Sequence, residues 1–220
     1  MAKVHGIKKS SEQENQLKGF TPLAQCQNEI TLRHTAMKKT FTPEMMNQCK
    51  KFMYSFFDYL PVKYAADNNA WKVRRFIWAF KNGQFSKYAA SLVAKKLLEQ
   101  FGADCENMVF VCVPASSHDK NEARYHEFSE EVSRLCGIGN AFTHVSVEGE
   151  RLAIHESKGA KHVNRVQVVN FDKDFFAGKK VLVFDDVITR GYSYSRFACA
   201  LESLGASVIG GVFLAKTLFI

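Results

Sequence analysis

The 220-residue sequence lacks several things that would settle its class quickly. No apolar run reaches the roughly 18 residues that cross a bilayer. The opening stretch MAKVHGIKKSSEQENQ has basic residues with no apolar segment behind them, so it does not read as a secretory signal, and the expected compartment is the cytoplasm. The six cysteines are scattered, and no CxxC or Cys/His pair has zinc-ligand spacing. Cys112 and Cys199 sit among apolar neighbours and read as small core residues. Internal repeats and low-complexity segments are also missing.

What is present is a core-forming composition, 46% hydrophobic with 19 Phe, and a net charge of +8. The charge is uneven: residues 1–100 carry 17 Lys and Arg against 7 Asp and Glu, whereas residues 101–220 carry 13 against 15. A basic first half suits phosphorylated small molecules or nucleic acid, and equally a solvated basic surface.

Residues 1–20 are polar and predict a poorly ordered tail. Residues 21–70 predict a helical extension or hood: Thr42 can cap a helix with Pro43 at its first position, and Met46, Cys49, Met53, Phe56, Phe57 and Leu60 recur at helical spacing until Pro61. That stripe reads as core, with a hood over a substrate as the other use. Residues 71–220 predict an α/β domain. Helical patterning runs from Trp71 to Phe101, broken at Lys81-Asn82-Gly83 and closed by Gly102. The run MVFVCVP (108–114) predicts a strand buried on both faces, followed by a helix from Asn121 to Cys136 that ends at Gly137. Further strands are predicted in AFTHVSV (141–147), VQVVNF (166–171), VLVFDD (181–186) and SVIGGVFLAKT (207–217). A helix is expected from Ser193 to Leu204, and the polar stretch 148–165 reads as a long mobile loop. Strands alternating with helices predict a parallel sheet with helices on both faces.

The chemistry concentrates in VLVFDDVITRGYS (181–193). In open parallel sheets, ligands bind beyond the carboxyl ends of the strands, and Asp185 and Asp186 lie at such an end. The turn through Gly191 leads into a helix, whose amides and dipole attract phosphate. Thr189, Ser193 and Ser195 offer hydroxyls and Arg190 a charge. Adjacent residues of a strand point to opposite faces, so one acid can meet a sugar's hydroxyls while the other meets a cation or an inner network. The ligand this pattern asks for is polyhydroxylated at one end and anionic at the other.

The stretch resembles the signature of type I phosphoribosyltransferases: four apolar residues, two acids, two apolar residues, then Thr-Thr-Gly-x-Thr/Ser. Arg190 stands where a Thr is commoner. RRFIWAFKNGQFSKYAASLVAKKL, VFVCVPAS and ARYHEFSEEVSRL are similar in order and spacing to the ComF-like, competence-associated branch, over roughly residues 71–217. The four-cysteine zinc ribbon that opens many such chains is not present. The resemblance implies the type I phosphoribosyltransferase fold and binding of 5-phosphoribosyl-1-pyrophosphate with Mg²⁺. It implies transfer of ribose 5-phosphate to a nucleobase or amine nitrogen with release of pyrophosphate.

Under that resemblance Asp185 and Asp186 hold the ribose hydroxyls, directly or through Mg²⁺, and Thr189, Arg190, Gly191, Tyr192 and Ser193 hold the 5-phosphate. Ala115, Ser116 and Ser117 in VPASS form the diphosphate loop, with Arg124 beside it. Lys158, Lys161 and Arg165 approach the leaving group from the mobile loop. A threonine at 189, where 6-oxopurine enzymes carry an aspartate, disfavours hypoxanthine and guanine. An ordinary strand-to-helix connection accounts for VPASS equally well, and Lys81 lies in a segment that recurs in the family although a helix-ending Lys-Asn-Gly is adequate for it as structure. The histidines read as surface or capping residues. The expected partner is a phosphorylated small molecule, with nucleic acid on the basic N-terminal half and a homodimer as further expectations and no membrane. A sensor that binds without turnover, and a nucleic-acid-handling protein, are the competing functions.

Overall fold

The computed structural model describes residues 40–149 and 168–219. Five parallel strands make the central sheet, in the order β1 (Phe52–Tyr59), β7 (Ser207–Thr217), β6 (Lys180–Ile188), β2 (Met108–Cys112), β3 (Gly139–Asn140). The expected parallel α/β architecture is therefore observed. A separate antiparallel ribbon joins β4 (Val145–Glu148) to β5 (Val168–Phe171).

Six α-helices accompany the strands among the described residues: α1 (Pro43–Gln48), α2 (Asn68–Lys81), α3 (Ser86–Phe101), α4 (His118–Cys136), α5 (Lys173–Phe176) and α6 (Tyr192–Ser203). They form two layers. On one face α2, α3 and α4 bury Phe80, Leu97, Tyr125 and Phe128 against Phe110, Leu182 and Phe184. On the other, α6 packs Phe197, Ala198 and Leu201 against Val109, Val181, Val183 and Phe213. Strand β6 supplies alternate residues to each layer, as a two-residue side-chain period requires. Burying both faces is why β2 and β6 read as continuous apolar runs.

Most expected elements are observed. The break at Lys81-Asn82-Gly83 separates α2 from α3, and Gly102 and Gly137 cap α3 and α4. Two expectations are corrected. The helix expected over 42–60 is only α1, capped by Thr42 as anticipated, followed by strand β1 in register with β7. Phe52-Met53-Tyr54-Ser55-Phe56-Phe57 is aromatic-rich and fits a pleated surface. Both faces of this edge strand are half-buried, so its apolar residues mimic a helical spacing. The described part of 21–70 is thus not a helical extension: β1 belongs to the central sheet. The second correction concerns AFTHVSV. Residues 142–144 form a 3-10 turn and Val145–Glu148 enters the ribbon, while Gly139–Asn140 pairs with β2 in its place. The predicted tail 1–20 and most of the predicted loop lie outside the described residues.

Candidate functional site

The strand β6 ends with its two acids on opposite faces. Asp185 follows Val181 and Val183 to the α6 side; Asp186 follows Leu182 and Phe184 to the side of α2 and α4. Asp185 opens on a cavity of ≈ 560 Å³ bounded by the turn 187–191, the first turn of α6 and Phe41. Gly191 makes the turn possible. Its φ is +79°, and a Cβ there would stand 3.1 Å from Cys49 Sγ. The N-terminal end of α6, with the positive end of its dipole, faces this cavity through Tyr192 and Ser193. Arg190 is exposed at the rim, and Phe41 packs edge-on against the Tyr192 ring at 5.6 Å.

Two expected phosphate donors point elsewhere. The Thr189 hydroxyl bonds that of Thr217 on β7 at 2.9 Å. Ser195 is fully buried and its hydroxyl donates back to the Tyr192 carbonyl at 3.2 Å. Ser193 and the backbone of 189–193 remain as the lining of the cavity.

On the other face Asp186 is only 5% exposed. Arg124 donates to its Oδ2 at 2.7 Å, and Lys81 Nζ lies 3.1 Å from its Oδ1. Arg124 also donates from Nε to the Lys81 carbonyl at 3.2 Å, tying α4 to the end of α2. Asp186 is thus held between two cations, and Arg124 faces that carboxylate. Burial, with the Asp186 carboxylate adding to it, pushes the Asp185 pKa up to about 7, against the pull of the Asp186 amide, Lys81 and Arg124. The Asp186 amide donates to Asp185 Oδ1 at 2.9 Å.

The segment VPASS continues from β2 beside β6. The Val113 amide donates to the Phe184 carbonyl at 2.7 Å, and the Ala115 amide donates to Asn121 Oδ1 at 3.0 Å. The Ser117 hydroxyl caps α4, accepting from the Lys120 amide at 3.4 Å. Ser116 precedes the cap and is half-buried. Lys158, Lys161 and Arg165 lie outside the described residues. Phe41 is the neighbour that sequence reasoning missed, and Lys81 is weighed there without being assigned to the site. Lys81 carried a weak signal, closing α2 beside a Gly turn, whereas Phe41 carried none.

Among the described residues no group of three or more His, Cys, Asp or Glu side chains converges on a metal position. Asp185 is the carboxylate that opens on the cavity, and Asp186 is committed to Arg124 and Lys81. That donor set does not make a protein cage. It fits a hydrated Mg²⁺ carried in by a phosphorylated ligand, which needs one or two carboxylates beside the ligand's own oxygens. No helix among the described residues is long and apolar enough to cross a membrane.

No family model matches the sequence, nor does any curated protein. Solved structures that align with the chain include phosphoribosyltransferases. An adenine phosphoribosyltransferase is 20% identical, with 68% of this chain and 71% of that one covered and a TM-score of 0.36. Adenine phosphoribosyltransferase from Thermoanaerobacter pseudethanolicus ATCC 33223 is 18% identical, covering 60% and 77% with a TM-score of 0.35. Purine phosphoribosyltransferase from Pyrococcus horikoshii Ot3 is 13% identical, covering 74% and 92% with a TM-score of 0.33.

Proposed function

We propose that the chain is a phosphoribosyltransferase: it binds 5-phosphoribosyl-1-pyrophosphate with Mg²⁺ and transfers ribose 5-phosphate to a nitrogen nucleophile. The observation that carries this reading is one cavity bounded by a carboxylate, Asp185, and by the glycine turn and N-terminus of α6. A sugar phosphate needs that pair: donors and positive potential for its phosphate, an acceptor for its hydroxyls.

In the transfer the C1–O bond breaks with its electron pair leaving on the diphosphate, a C1–N bond forms from the acceptor's lone pair, and the proton the nitrogen gives up passes to solvent. Asp185 is the carboxylate that would hold a ligand-borne Mg²⁺, which would supply charge neutralisation to the diphosphate. The chain's residues position the ligand: the 189–193 backbone and Ser193 take the 5-phosphate, and Asp185 accepts from a ribose hydroxyl. The reaction centre carries developing positive charge and little covalent work falls to the protein, so placement of charge dominates. Asp186 orders the strand end between Lys81 and Arg124.

A second reading, a sensor of the same ligand that does not turn over, is favoured by the commitment of Asp186 to two cations, which leaves a single acid for the ribose. Calorimetric titration with phosphoribosyl pyrophosphate, with and without Mg²⁺, tests the site. Mg²⁺-dependent binding followed by pyrophosphate release with one of a panel of nucleobases and amines is the outcome expected of the enzyme. Binding without release with any acceptor leaves the sensor. No binding removes both.

A further inference from the structure

The triad of Asp186, Arg124 and Lys81 contains one carboxylate and two cations, and the two cations are held very differently. The Arg124 side chain is 15% exposed and fixed by two hydrogen bonds, one to Asp186 and one to the Lys81 carbonyl. The Lys81 side chain is 39% exposed, and its ammonium makes one contact, at 3.1 Å. Its backbone is nevertheless rigid. Gly83, two residues on, has φ +78°, and a Cβ there would stand 2.4 Å from the Ala123 carbonyl oxygen, so the turn is pressed onto α4 beside Arg124. A fixed backbone carrying a half-exposed ammonium on a flexible four-carbon stem can re-aim its charge without moving the fold.

The place to which it can turn is set by the sheet. Cys112 pairs with Phe184, and the Val113 amide continues that ladder, so the loop 113–117 starts beside the end of β6, about one strand spacing (~5 Å) away. Cys112, Ala115, Phe80, Tyr125 and Phe184 share one core layer. The 113–117 loop, Asp186 and Lys81 therefore lie on the same side of β6, while Asp185 and the α6 turn lie on the other. A ligand laid across the strand end would put one anionic group at each side. The α6 side has a helix terminus and Arg190; on the other side Lys81, with its side chain 39% exposed, is the cation that already contacts the strand-end carboxylate and is not buried.

We propose that Lys81 binds the diphosphate end of the ligand, its ammonium shared between Asp186 and the diphosphate oxygens while Arg124 retains Asp186. This rests on the ligand assignment made above. The assignment extends the site to α2, a helix outside the acid-pair turn and the 113–117 loop.

Calorimetric titration of Lys81→Met and Lys81→Arg with inorganic pyrophosphate, ribose 5-phosphate and phosphoribosyl pyrophosphate, all with Mg²⁺, separates the possibilities. Lys81→Met is expected to weaken pyrophosphate and phosphoribosyl pyrophosphate by about 10- to 100-fold, the range for one charge-assisted hydrogen bond. Ribose 5-phosphate affinity stays unchanged, and Lys81→Arg recovers most of the loss. Equal weakening of all three ligands would make Lys81 a structural support and overturn the inference. So would unchanged pyrophosphate binding, or no pyrophosphate binding by the unmodified chain. Lys81-dependent binding of pyrophosphate without binding of phosphoribosyl pyrophosphate would keep the inference and sink the ligand assignment. Should Lys81→Met fail to fold, Lys81→Gln, which can still donate to Asp186, is titrated in its place.

Discussion

Asp185 and Asp186 are the same residue type one bond apart, yet they occupy opposite environments. Towards α6 the strand end is open: a cavity, a glycine turn, a helix terminus, and a carboxyl with a raised pKa. Towards α2 and α4 it is closed: a buried carboxylate held by two cations under an aromatic layer. The difference teaches that the strand's alternation, more than residue type, divides ligand binding from structural work. Each face follows from which helices cover it.

The largest effect should come from breaking the closed face. Asp186→Ala leaves Lys81 and Arg124 side by side with no carboxylate, and is expected to cost about 3 kcal/mol. That is the low end for a buried ion pair, since the Lys81 side chain is partly exposed. Urea denaturation would show it as a lower midpoint at unchanged slope; a loss under 1 kcal/mol would mean the triad is not structural.

Asp185→Asn should do the opposite. The folded pKa of Asp185 is raised from 3.8 to about 7, so above 3.8 the unfolded chain releases this proton more readily than the folded one. Stability from this group is therefore present at low pH and falls as pH rises from about 4 to about 7. The asparagine variant should melt higher than the parent at pH 8, by roughly 1–2 kcal/mol after screening, with the gain vanishing near pH 4. Ligand affinity should fall in the same variant. If Asp185→Asn lowers stability at pH 8, the two faces are not the opposites described.

Gly191→Ala tests the open face through its backbone. A positive φ and a Cβ 3.1 Å from Cys49 Sγ together should cost about 1–2 kcal/mol and weaken ligand binding through a displaced turn. The smallest effect is expected at Thr189→Val, which removes the bond to Thr217. It should cost about 1 kcal/mol or less and leave ligand affinity unchanged, because that hydroxyl faces β7. A tenfold loss of affinity would return Thr189 to the phosphate side.

The sequence made the doubly covered strands legible, because β2, β6 and β7 are continuous apolar runs bounded by capped helices. It also made the acid pair and its glycine turn legible, and the opposition of their side chains followed from strand geometry. What it could not yield was long-range pairing. Arg124 reaches Asp186 across 62 positions, and nothing local in ARYHEF marks that arginine as a partner of a strand end. Likewise β1 is a strand because β7 lies beside it, and its own residues fit a helical stripe as well as a pleat. Thr189 looked like a phosphate donor because hydroxyls near a glycine turn usually face the ligand, and only the position of Thr217 redirects it.

The place of β1 bears on how the chain is made. Among the described strands its partner is β7, joined in the register Phe52 with Gly210. A ribosome produces the aromatic segment FMYSFFDY well before the complementary edge that begins at Ser207. Until then the early segment has no ladder to join, and the sheet cannot close around it. Completion of the sheet thus waits on a partner far along the chain, which predicts slow, chaperone-sensitive maturation and an interval in which this segment is open to aggregation.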